Sequence, residues 1–229
     1  MGRLVLWDID GTLVDSAGLG RDAFLEAFER VTGAPPDRLV PFAGRTDMEI
    51  ALDLLETAGI DHSEQLLGDF ESALAAAMAE RAPLVRQRGR AFPGVREVLE
   101  RLSEEPGVTQ SLLTGNIEAN AEVKLAAFGL SKLLDMEIGA YGSDHRRRGE
   151  LVAVARRKAL VLRDAAFQPE DIVLVGDTPL DIAAAIEGGA RAVGVATGPY
   201  GEDDLRHAGA DAVLPDLSDL DSVLGAVLG

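Results

Sequence analysis

Short apolar runs recur along the chain and alternate with segments of helical periodicity. The clearest runs cover residues 4–7, 111–113, 172–175 and 192–195, and a weaker one covers 212–214. Each is followed by a cluster of Gly, Asp or Thr, which is typical of buried parallel strands and their turns. Helices between such strands predict an α/β fold, with a doubly wound parallel sheet covered on both faces. A further apolar stretch at 136–139 either adds a strand or ends a loop.

The interval between the first two clear runs has a different pattern. Across residues 16–90 apolar side chains repeat only at helix spacing, in three separate stretches. We expect three or four helices here, inserted after the first strand as a helical cap. The domain prediction is therefore a core of residues 1–15 and 91–229 with a cap of residues 16–90.

Composition narrows the possible chemistry. The chain has 229 residues, of which 47% are hydrophobic, so one core with an inserted subdomain can be buried without cross-links. The absence of cysteine excludes a disulfide framework, a thiolate nucleophile and a zinc–thiolate site. The formal net charge of -17 disfavours nucleic acid as a partner, because such a surface repels phosphate backbones. It does not argue against a small anionic substrate held locally.

Targeting signals are not recognisable in the sequence. The first apolar run is too short for a signal peptide, and no stretch reaches the roughly 18 apolar residues that span a membrane. We therefore expect a soluble, cytoplasmic protein without membrane contact. The excess of Arg over Lys and the richness in Ala and Gly are typical of a GC-rich bacterial genome.

Two carboxylates follow the first predicted strand directly. Asp8 and Asp10 lie two residues apart, and such a pair needs a cation, hydrogen bonds or a shared proton to coexist. Gly11 permits a sharp turn and a close approach to a ligand. Ligands of parallel α/β sheets bind beyond the carboxyl ends of the strands. The first strand end is thus a candidate site.

Three sequence-distant motifs resemble those of the haloacid dehalogenase superfamily of phosphohydrolases. Residues 8–16 read DIDGTLVDS, residues 113–116 read LTGN, and residues 175–181 read VGDTPLD. Their order along the chain and the position of the helical insert are similar to the C1-capped members, which include phosphoglycolate phosphatase-like and β-phosphoglucomutase-like proteins. The resemblance implies a Rossmann-like core.

The resemblance also implies roles for the acidic residues. Asp8 is the expected nucleophile, and Asp10 the expected acid that protonates the leaving alcohol and the base that activates water. Mg²⁺, which prefers oxygen ligands, is expected on an Asp8 oxygen, the backbone carbonyl of Asp10 and Asp177. Asp181 is expected to orient water on the metal or the basic side chain.

The phosphate is expected to lie against two motif loops. Thr114 offers a hydroxyl, and Gly115 and Asn116 offer backbone amides; the loop of Gly11 and Thr12 is expected to contribute as well. Taken alone, the T-G-N sequence also fits an ordinary strand-to-helix turn with asparagine as the N-cap.

Two basic residues compete for the role of the family's phosphate-binding lysine. The chain has no Lys-Pro pair in the expected loop, and Arg148 opens the helix at that point. Lys124 lies instead in the helix after the T-G-N motif. The alternatives are a solvated loop for Arg148 and a surface lysine for Lys124. In the predicted cap, Arg45 is a candidate contact to the leaving group, although Thr46 or Asp47 beside it could simply be an N-cap.

These observations predict a magnesium-dependent phosphatase of a small phosphorylated metabolite, acting as a monomer or weak homodimer. Phosphoglycolate is the first substrate suggested by the resemblance, followed by sugar phosphates and nucleotides. A phosphomutase of the β-phosphoglucomutase type is the main alternative, because the motifs do not separate the two reactions. A haloacid dehalogenase is disfavoured by Asp10, and a non-catalytic binding module is disfavoured by the presence of both Asp8 and Asp10.

Overall fold

A five-stranded parallel sheet lies at the centre of the molecule. The computed structural model describes residues 2–229 and gives the strand order β4-β1-β5-β6-β7. The strands are β1 (Arg3–Trp7), β4 (Val108–Leu112), β5 (Ile172–Gly176), β6 (Arg191–Val195) and β7 (Ala212–Leu214), and every neighbouring pair is parallel. The five apolar runs are therefore strands, and the predicted α/β fold is confirmed.

Helices cover both faces of this sheet, as two separate apolar cores require. Val5 and Trp7 of β1 face one core, whereas Leu4 and Leu6 face the other, because side chains alternate along a strand. The first face packs against α4 (Val95–Ser103), α5 (Glu118–Ala126) and α9 (Leu220–Leu228). The second packs against α6 (Leu151–Arg163), α7 (Pro179–Glu187) and α8 (Glu202–His207).

A helical segment with its own core follows β1. It leaves the sheet through β2 (Val14–Asp15) and returns through β3 (Arg90–Ala91), which pair antiparallel. Between them lie α1 (Leu19–Thr32), α2 (Asp47–Thr57) and α3 (Glu64–Arg88), packed around a third apolar cluster that includes Phe24, Phe70 and Leu74. We call residues 16–90 the helical segment. That it acts as a cap over a site stays a prediction.

A loop of the helical segment docks directly on the sheet. In the docking loop, residues 44–47, the backbone N–H of Asp47 donates to the carbonyl of Gly115 at 2.8 Å. The carboxylate of Asp47 accepts a hydrogen bond from the backbone N–H of Ile117 at 2.9 Å, at the start of α5. The two parts of the chain thus meet beside the carboxyl end of β4.

The strand alternative for residues 136–139 is wrong. Met136–Ile138 forms a 3₁₀ turn, closed by a hydrogen bond from Gly139 N–H to the Met136 carbonyl. An isolated bridge joins Ala140 to Leu113, so the stretch ends a loop beside the sheet. Within residues 2–229, no helix is both long and apolar enough to cross a bilayer.

Candidate active site

Polar side chains converge where three neighbouring strands end. Asp8 follows β1, Thr114 lies two residues beyond β4, and Asp177 follows β5. Because these strands are adjacent and parallel, their carboxyl ends meet at one edge of the sheet. The side chains line a cavity of about 300 Å³ between this edge and the helical segment. This volume is in the range of small-molecule sites.

Three buried carboxylates form the floor of this region. One oxygen from each of Asp8, Asp177 and Asp181 lies within 4.8 Å of the others. Burial, together with the charges of the other aspartates, raises the pKa of Asp177 to about 9. Burial also raises the pKa of Asp8 to about 7, although the nearby Arg148 acts against the shift. Such a cluster is costly to ionise without an added cation.

Arg148 pairs with the floor of the site. Its Nη2 lies 2.8 Å from Asp8 Oδ1 and also forms an ion pair with Asp181. Its Nη1 donates to the carbonyl of Gly44 in the docking loop at 3.2 Å. The residue is buried, so the solvated-loop alternative is wrong for Arg148, whereas Arg146 and Arg147 before it are exposed.

Asp181 is held on both oxygens. One pairs with Arg148, and the other accepts hydrogen bonds from the backbone N–H and the hydroxyl of Thr178, at 3.0 and 2.7 Å. These bonds close a capping box at the start of α7. Both carboxylate oxygens of Asp181 are therefore paired with protein groups, and the residue orients Arg148.

The carboxylate oxygens around Asp8 are suitable ligands for a metal ion. Oδ1 of Asp8 is buried without a hydrogen-bond partner within residues 2–229, since its contact to Arg148 lacks hydrogen-bond geometry. Gly11 has a φ of +84°, and a Cβ there would lie 2.3 Å from an Asp177 oxygen. Thr12 donates its hydroxyl to Asp177 at 3.1 Å, which orients that carboxylate. The buried aspartate cluster could thus bind a divalent cation, which carboxylate oxygens suit.

The carboxylate of Asp10 pairs with Lys124, whereas that of Asp8 lies beside Arg148. Its carboxylate lies 2.5 Å from Nζ of Lys124, 2.8 Å from Nδ2 of Asn116 and 3.3 Å from the hydroxyl of Ser16. Lys124 also donates to Asn116 Oδ1 at 2.6 Å. Burial acts to raise the pKa of Asp10, but Lys124 and these hydrogen bonds outweigh it and hold that pKa below its usual value. Lys124 is buried, so the surface alternative for this lysine is wrong.

The T-G-N loop faces both the cavity and the docking loop. Thr114 and Asn116 line the cavity, and the threonine oxygen accepts from Asn116 Nδ2 at 2.8 Å. Gly115 allows a close approach to the helical segment, because a Cβ there would lie 2.0 Å from the carbonyl oxygen of Arg45. These residues and Asp8 line the same cavity, and a role of the T-G-N loop in phosphate binding stays a prediction.

Arg45 lines the cavity but is already paired. Its guanidinium lies 2.9 Å from Glu49 and 2.6 Å from Asp53, both on α2. Thr46 accepts from the backbone N–H of Glu49 at 3.2 Å, which makes it the N-cap of α2. The N-cap alternative for this turn is therefore correct for Thr46, and a role of Arg45 in substrate binding stays a prediction.

Comparison with known proteins identifies the family to which the three motifs belong. A model of the haloacid dehalogenase-like hydrolase family matches residues 5–185. The chain belongs to this family. It is 30% identical to the "Probable phosphatase IndB" of Dickeya dadantii, over 100% of this chain and 96% of that protein. It is also 30% identical to the plasmid-encoded phosphoglycolate phosphatase of Cupriavidus necator, over 96% and 92% of the two chains.

A solved structure shares the fold of this chain. The crystal structure of a hydrolase from Pseudomonas syringae superposes with a TM-score of 0.69 at 23% identity, covering 98% of each chain. The family match and the phosphatases among the relatives confirm the predicted resemblance and the prediction of a phosphatase.

Some residues of the site were not predicted from the sequence. They are Ser16, Asp47 and Asn120, all of which line the cavity. Spacing offered a signal for Asn120, because Asn120 and Lys124 lie four residues apart and share one face of α5. No sequence signal marked Asp47 beyond its position near an N-cap.

The acidic floor predicts how stability depends on pH. The pKa values of Asp8 and Asp177 are raised in the folded protein from an ordinary 3.8, so without metal the folded state keeps protons that the unfolded chain has lost. Metal-free protein should therefore lose stability as pH rises from about 4 to about 9. Melting curves in EDTA and in Mg²⁺ at about pH 5.5 and about pH 8.5 check this, and Mg²⁺ should stabilise more at the higher pH. Asp177→Asn should flatten the dependence in EDTA; an equally steep slope in that variant would contradict the assignment.

Lys124 is predicted to act through Asp10. Lys124→Met keeps the apolar stem and removes the ammonium, so Asp10 loses its closest cation. We expect turnover of an alkyl phosphate to fall roughly 10–100-fold. In a double-mutant cycle with Asp10→Asn, the lysine change should add little, because the group it acts on is already altered. Additive losses would contradict this, and Lys132→Met, at an exposed position, is the matched control.

Proposed function

We propose that the chain is a magnesium-dependent phosphomonoesterase that transfers the phosphoryl group of a small metabolite first to Asp8 and then to water. The observation that carries the proposal is the environment of Asp8. This buried carboxylate follows β1, lies within 4.8 Å of Asp177 and Asp181, and faces Arg148 at 2.8 Å. A nucleophile, a candidate cation site and a fixed positive side chain thus occupy one cavity edge.

In the first step, an oxygen of Asp8 attacks phosphorus. A bond forms between that oxygen and phosphorus, and the bond from phosphorus to the leaving alcohol breaks. Arg148 presents Nη2 beside Asp8, and its buried Nε has no hydrogen-bond partner within residues 2–229. This geometry suits a guanidinium that binds the oxygens of the incoming phosphate.

Asp10 moves the protons of both steps. A protonated Asp10 gives its proton to the leaving alcohol, and the resulting carboxylate takes a proton from the water that then attacks phosphorus. The bond from Asp8 to phosphorus breaks, which releases phosphate and restores the nucleophile. With Lys124 at 2.5 Å, Asp10 is arranged as the carboxylate, which is the form needed for the second step. Proton donation requires that this ion pair be weakened or separated.

In this proposal Mg²⁺ would be held by an oxygen of Asp8, the carbonyl of Asp10 and the carboxylate of Asp177. The ion supplies positive charge that lowers the repulsion between these carboxylates and a dianionic phosphate. Thr12 orients Asp177, and Asp181 orients Arg148. The phosphate oxygens would contact the T-G-N residues Thr114, Gly115 and Asn116 and the turn at Gly11.

We also propose that residues 16–90 act as a cap and residues 1–15 and 91–229 as the core. The docking loop supports this division, because it lies against the T-G-N turn and its Gly44 carbonyl accepts a hydrogen bond from Arg148. A closed cap excludes water from the first step. One relative is a phosphoglycolate phosphatase, so a small phosphorylated metabolite is the proposed substrate class.

A magnesium titration tests the proposal. Wild-type protein should hydrolyse p-nitrophenyl phosphate only with Mg²⁺ present, and EDTA should stop the reaction. Asp177→Ala should need at least about tenfold more Mg²⁺ or lose activity, because the metal loses an anionic ligand. Asp181→Ala should mainly lower the maximal rate, because Arg148 loses a partner that orients it. Asp221→Ala, at an exposed position, is the control.

Three outcomes would count against parts of the proposal. Activity that resists EDTA would point to the metal-free dehalogenase branch. A larger metal shift in Asp181→Ala than in Asp177→Ala would exchange the roles of the two residues. Phosphoryl transfer to a second sugar phosphate faster than to water would indicate a mutase.

A further inference from the structure

The part of the cavity lining that lies outside the three motifs forms a region with its own polar and apolar groups. Phe24, Phe42 and Ile50 from the helical segment supply apolar surface, and Asp47 and Asn120 supply polar groups. This region lines the same cavity as the proposed phosphate site. It is therefore where the leaving group of a bound phosphate ester would lie.

Two of the cations that line the cavity, Lys124 and Arg45, are already paired with carboxylates. Nζ of Lys124 lies 2.5 Å from Asp10. The guanidinium of Arg45 pairs with two carboxylates of α2, at 2.9 and 2.6 Å. A leaving group with its own carboxylate would have to compete with these ion pairs.

The polar groups of this region include a buried, unused amide and a half-buried carboxylate. Oδ1 of Asn120 is buried and has no hydrogen-bond partner within residues 2–229. An unpartnered buried polar atom is costly unless a ligand or water satisfies it. Burial raises the pKa of Asp47 to about 6, with Lys124 acting against the shift, so Asp47 adds negative charge at neutral pH. An anionic leaving group would be repelled here, whereas a hydroxyl group can donate to either side chain.

The apolar wall suits the carbon face of the same kind of ligand. Phe24 and Phe42 meet edge to face, with ring centroids 5.1 Å apart. Such a pair offers a rigid apolar surface with little loss of side-chain freedom on binding. A polyhydroxylated ring has C–H groups on one face and hydroxyl groups at its edge.

We propose that this region is a leaving-group subsite for an uncharged, polyhydroxylated alcohol of the sugar or cyclitol class, with Asn120 as a specificity-determining residue. The inference rests on the proposed phosphatase function and adds the substrate class. A site with a buried hydrogen-bonding group strongly rejects an analogue that lacks the matching hydroxyl. Asn120 binds the ligand and takes no part in the proton transfers.

Arg21 at the cavity mouth defines the competing substrate class. The residue is exposed, its guanidinium lies 5.5 Å from the centroid of the Phe42 ring, and it forms no ion pair within residues 2–229. If Arg21 turned inward, it could bind a carboxylate on the leaving group. The charge of Asp47 and the paired state of Arg45 favour the uncharged class, and the experiment separates the two.

The test compares substrates in matched pairs on the purified, full-length protein with Mg²⁺. The first pair is myo-inositol 1-phosphate and cyclohexyl phosphate, which differ in the ring hydroxyls. The second is 2-hydroxyethyl phosphate and 2-phosphoglycolate, which exchange a hydroxyl for a carboxylate. We expect kcat/KM to be at least about tenfold higher for the hydroxylated, uncharged member of each pair. p-Nitrophenyl phosphate reports separately on the proposed chemistry.

Variants assign the preference to particular side chains. Asn120→Leu, close to isosteric, should reduce the preference for myo-inositol 1-phosphate over cyclohexyl phosphate by about tenfold, chiefly through KM. Glu122→Gln, on the exposed side of the same helix, should retain the preference. The wild-type comparison needs no variant, so it decides the question even if Asn120→Leu folds poorly.

Two results would overturn the inference. A preference for 2-phosphoglycolate that disappears in Arg21→Gln would assign the subsite to carboxylated substrates instead. Equal kcat/KM values within both pairs would show that the region distinguishes substrates neither by their hydroxyl groups nor by their charge. Turnover of p-nitrophenyl phosphate would in that case still support the proposed function. Absence of turnover with every substrate would overturn the proposed function and, with it, this inference.

Discussion

Replacing Asp8 with asparagine should abolish measurable turnover, a loss of roughly 10⁴-fold or more. An amide does not attack phosphorus as a carboxylate does, and no other carboxylate of the site lies in the same position at the end of β1. The measurement is hydrolysis of p-nitrophenyl phosphate and of an alkyl phosphate by the purified variant with saturating Mg²⁺. The wild type should form a complex with beryllium fluoride that mimics an aspartyl-phosphate, and Asp8→Asn should not.

The same variant should remain folded. Asp8 is buried and its pKa is raised, so ionisation of this carboxyl group destabilises the metal-free fold. Arg148 keeps Asp181 as an ion-pair partner when Asp8 becomes neutral. We expect the melting temperature in EDTA at about pH 8 to match or exceed that of the wild type. Turnover near the wild-type rate would end the assignment of the nucleophile, and Asp22→Asn at an exposed position is the control.

Replacing Asp10 with asparagine should lower the rate by about 10²–10⁴-fold, the usual contribution of a positioned acid or base. The loss should be smaller for p-nitrophenyl phosphate than for an alkyl phosphate, because p-nitrophenolate leaves without help from a proton. Burst kinetics should be measured alongside, since slow hydrolysis of the phosphoryl-enzyme would limit both substrates equally. In that case a burst of p-nitrophenol should precede the steady state.

Equal losses for the two substrates without a burst would contradict the acid–base assignment. Asp10 would then serve to hold Lys124 and Asn116 in place. Ser16→Ala is a graded comparison, because it removes the longest of the hydrogen bonds to Asp10, at 3.3 Å, and leaves the carboxylate. It should therefore cost far less than Asp10→Asn.

Positions at strand ends could be predicted well from the sequence. Each motif follows a short apolar run, and such a run in this setting forms a buried strand. The order of the strands places β1 beside both β4 and β5, so motifs far apart in the chain meet at one edge of the sheet. For this reason the sequence correctly predicts that Asp8 and Asp177 lie close together.

Side chains reaching in from helices could not be placed with the same certainty. The sequence posed Arg148 and Lys124 as rivals for one role, because either could extend toward a phosphate or into solvent. The structure buries both and pairs each with a different aspartate. The choice depended on how α5 and the 3₁₀ turn before α6 pack against the sheet, which long-range contacts determine. The pairing of Arg45 within α2 likewise depends on rotamers that periodicity does not define.

The short ladder between β2 and β3 has a consequence for how this protein can evolve. The chain leaves and re-enters the core through adjacent antiparallel strands, which lie about 5 Å apart in any sheet. Residues 16–90 are therefore inserted between two neighbouring points of the core, and this holds for any length or shape of the insertion. A helix could be added, shortened or exchanged there as a cassette while the register of β1 with β4 and β5 is kept. Under the proposed function, selection could thus change which alcohol is released without disturbing Asp8.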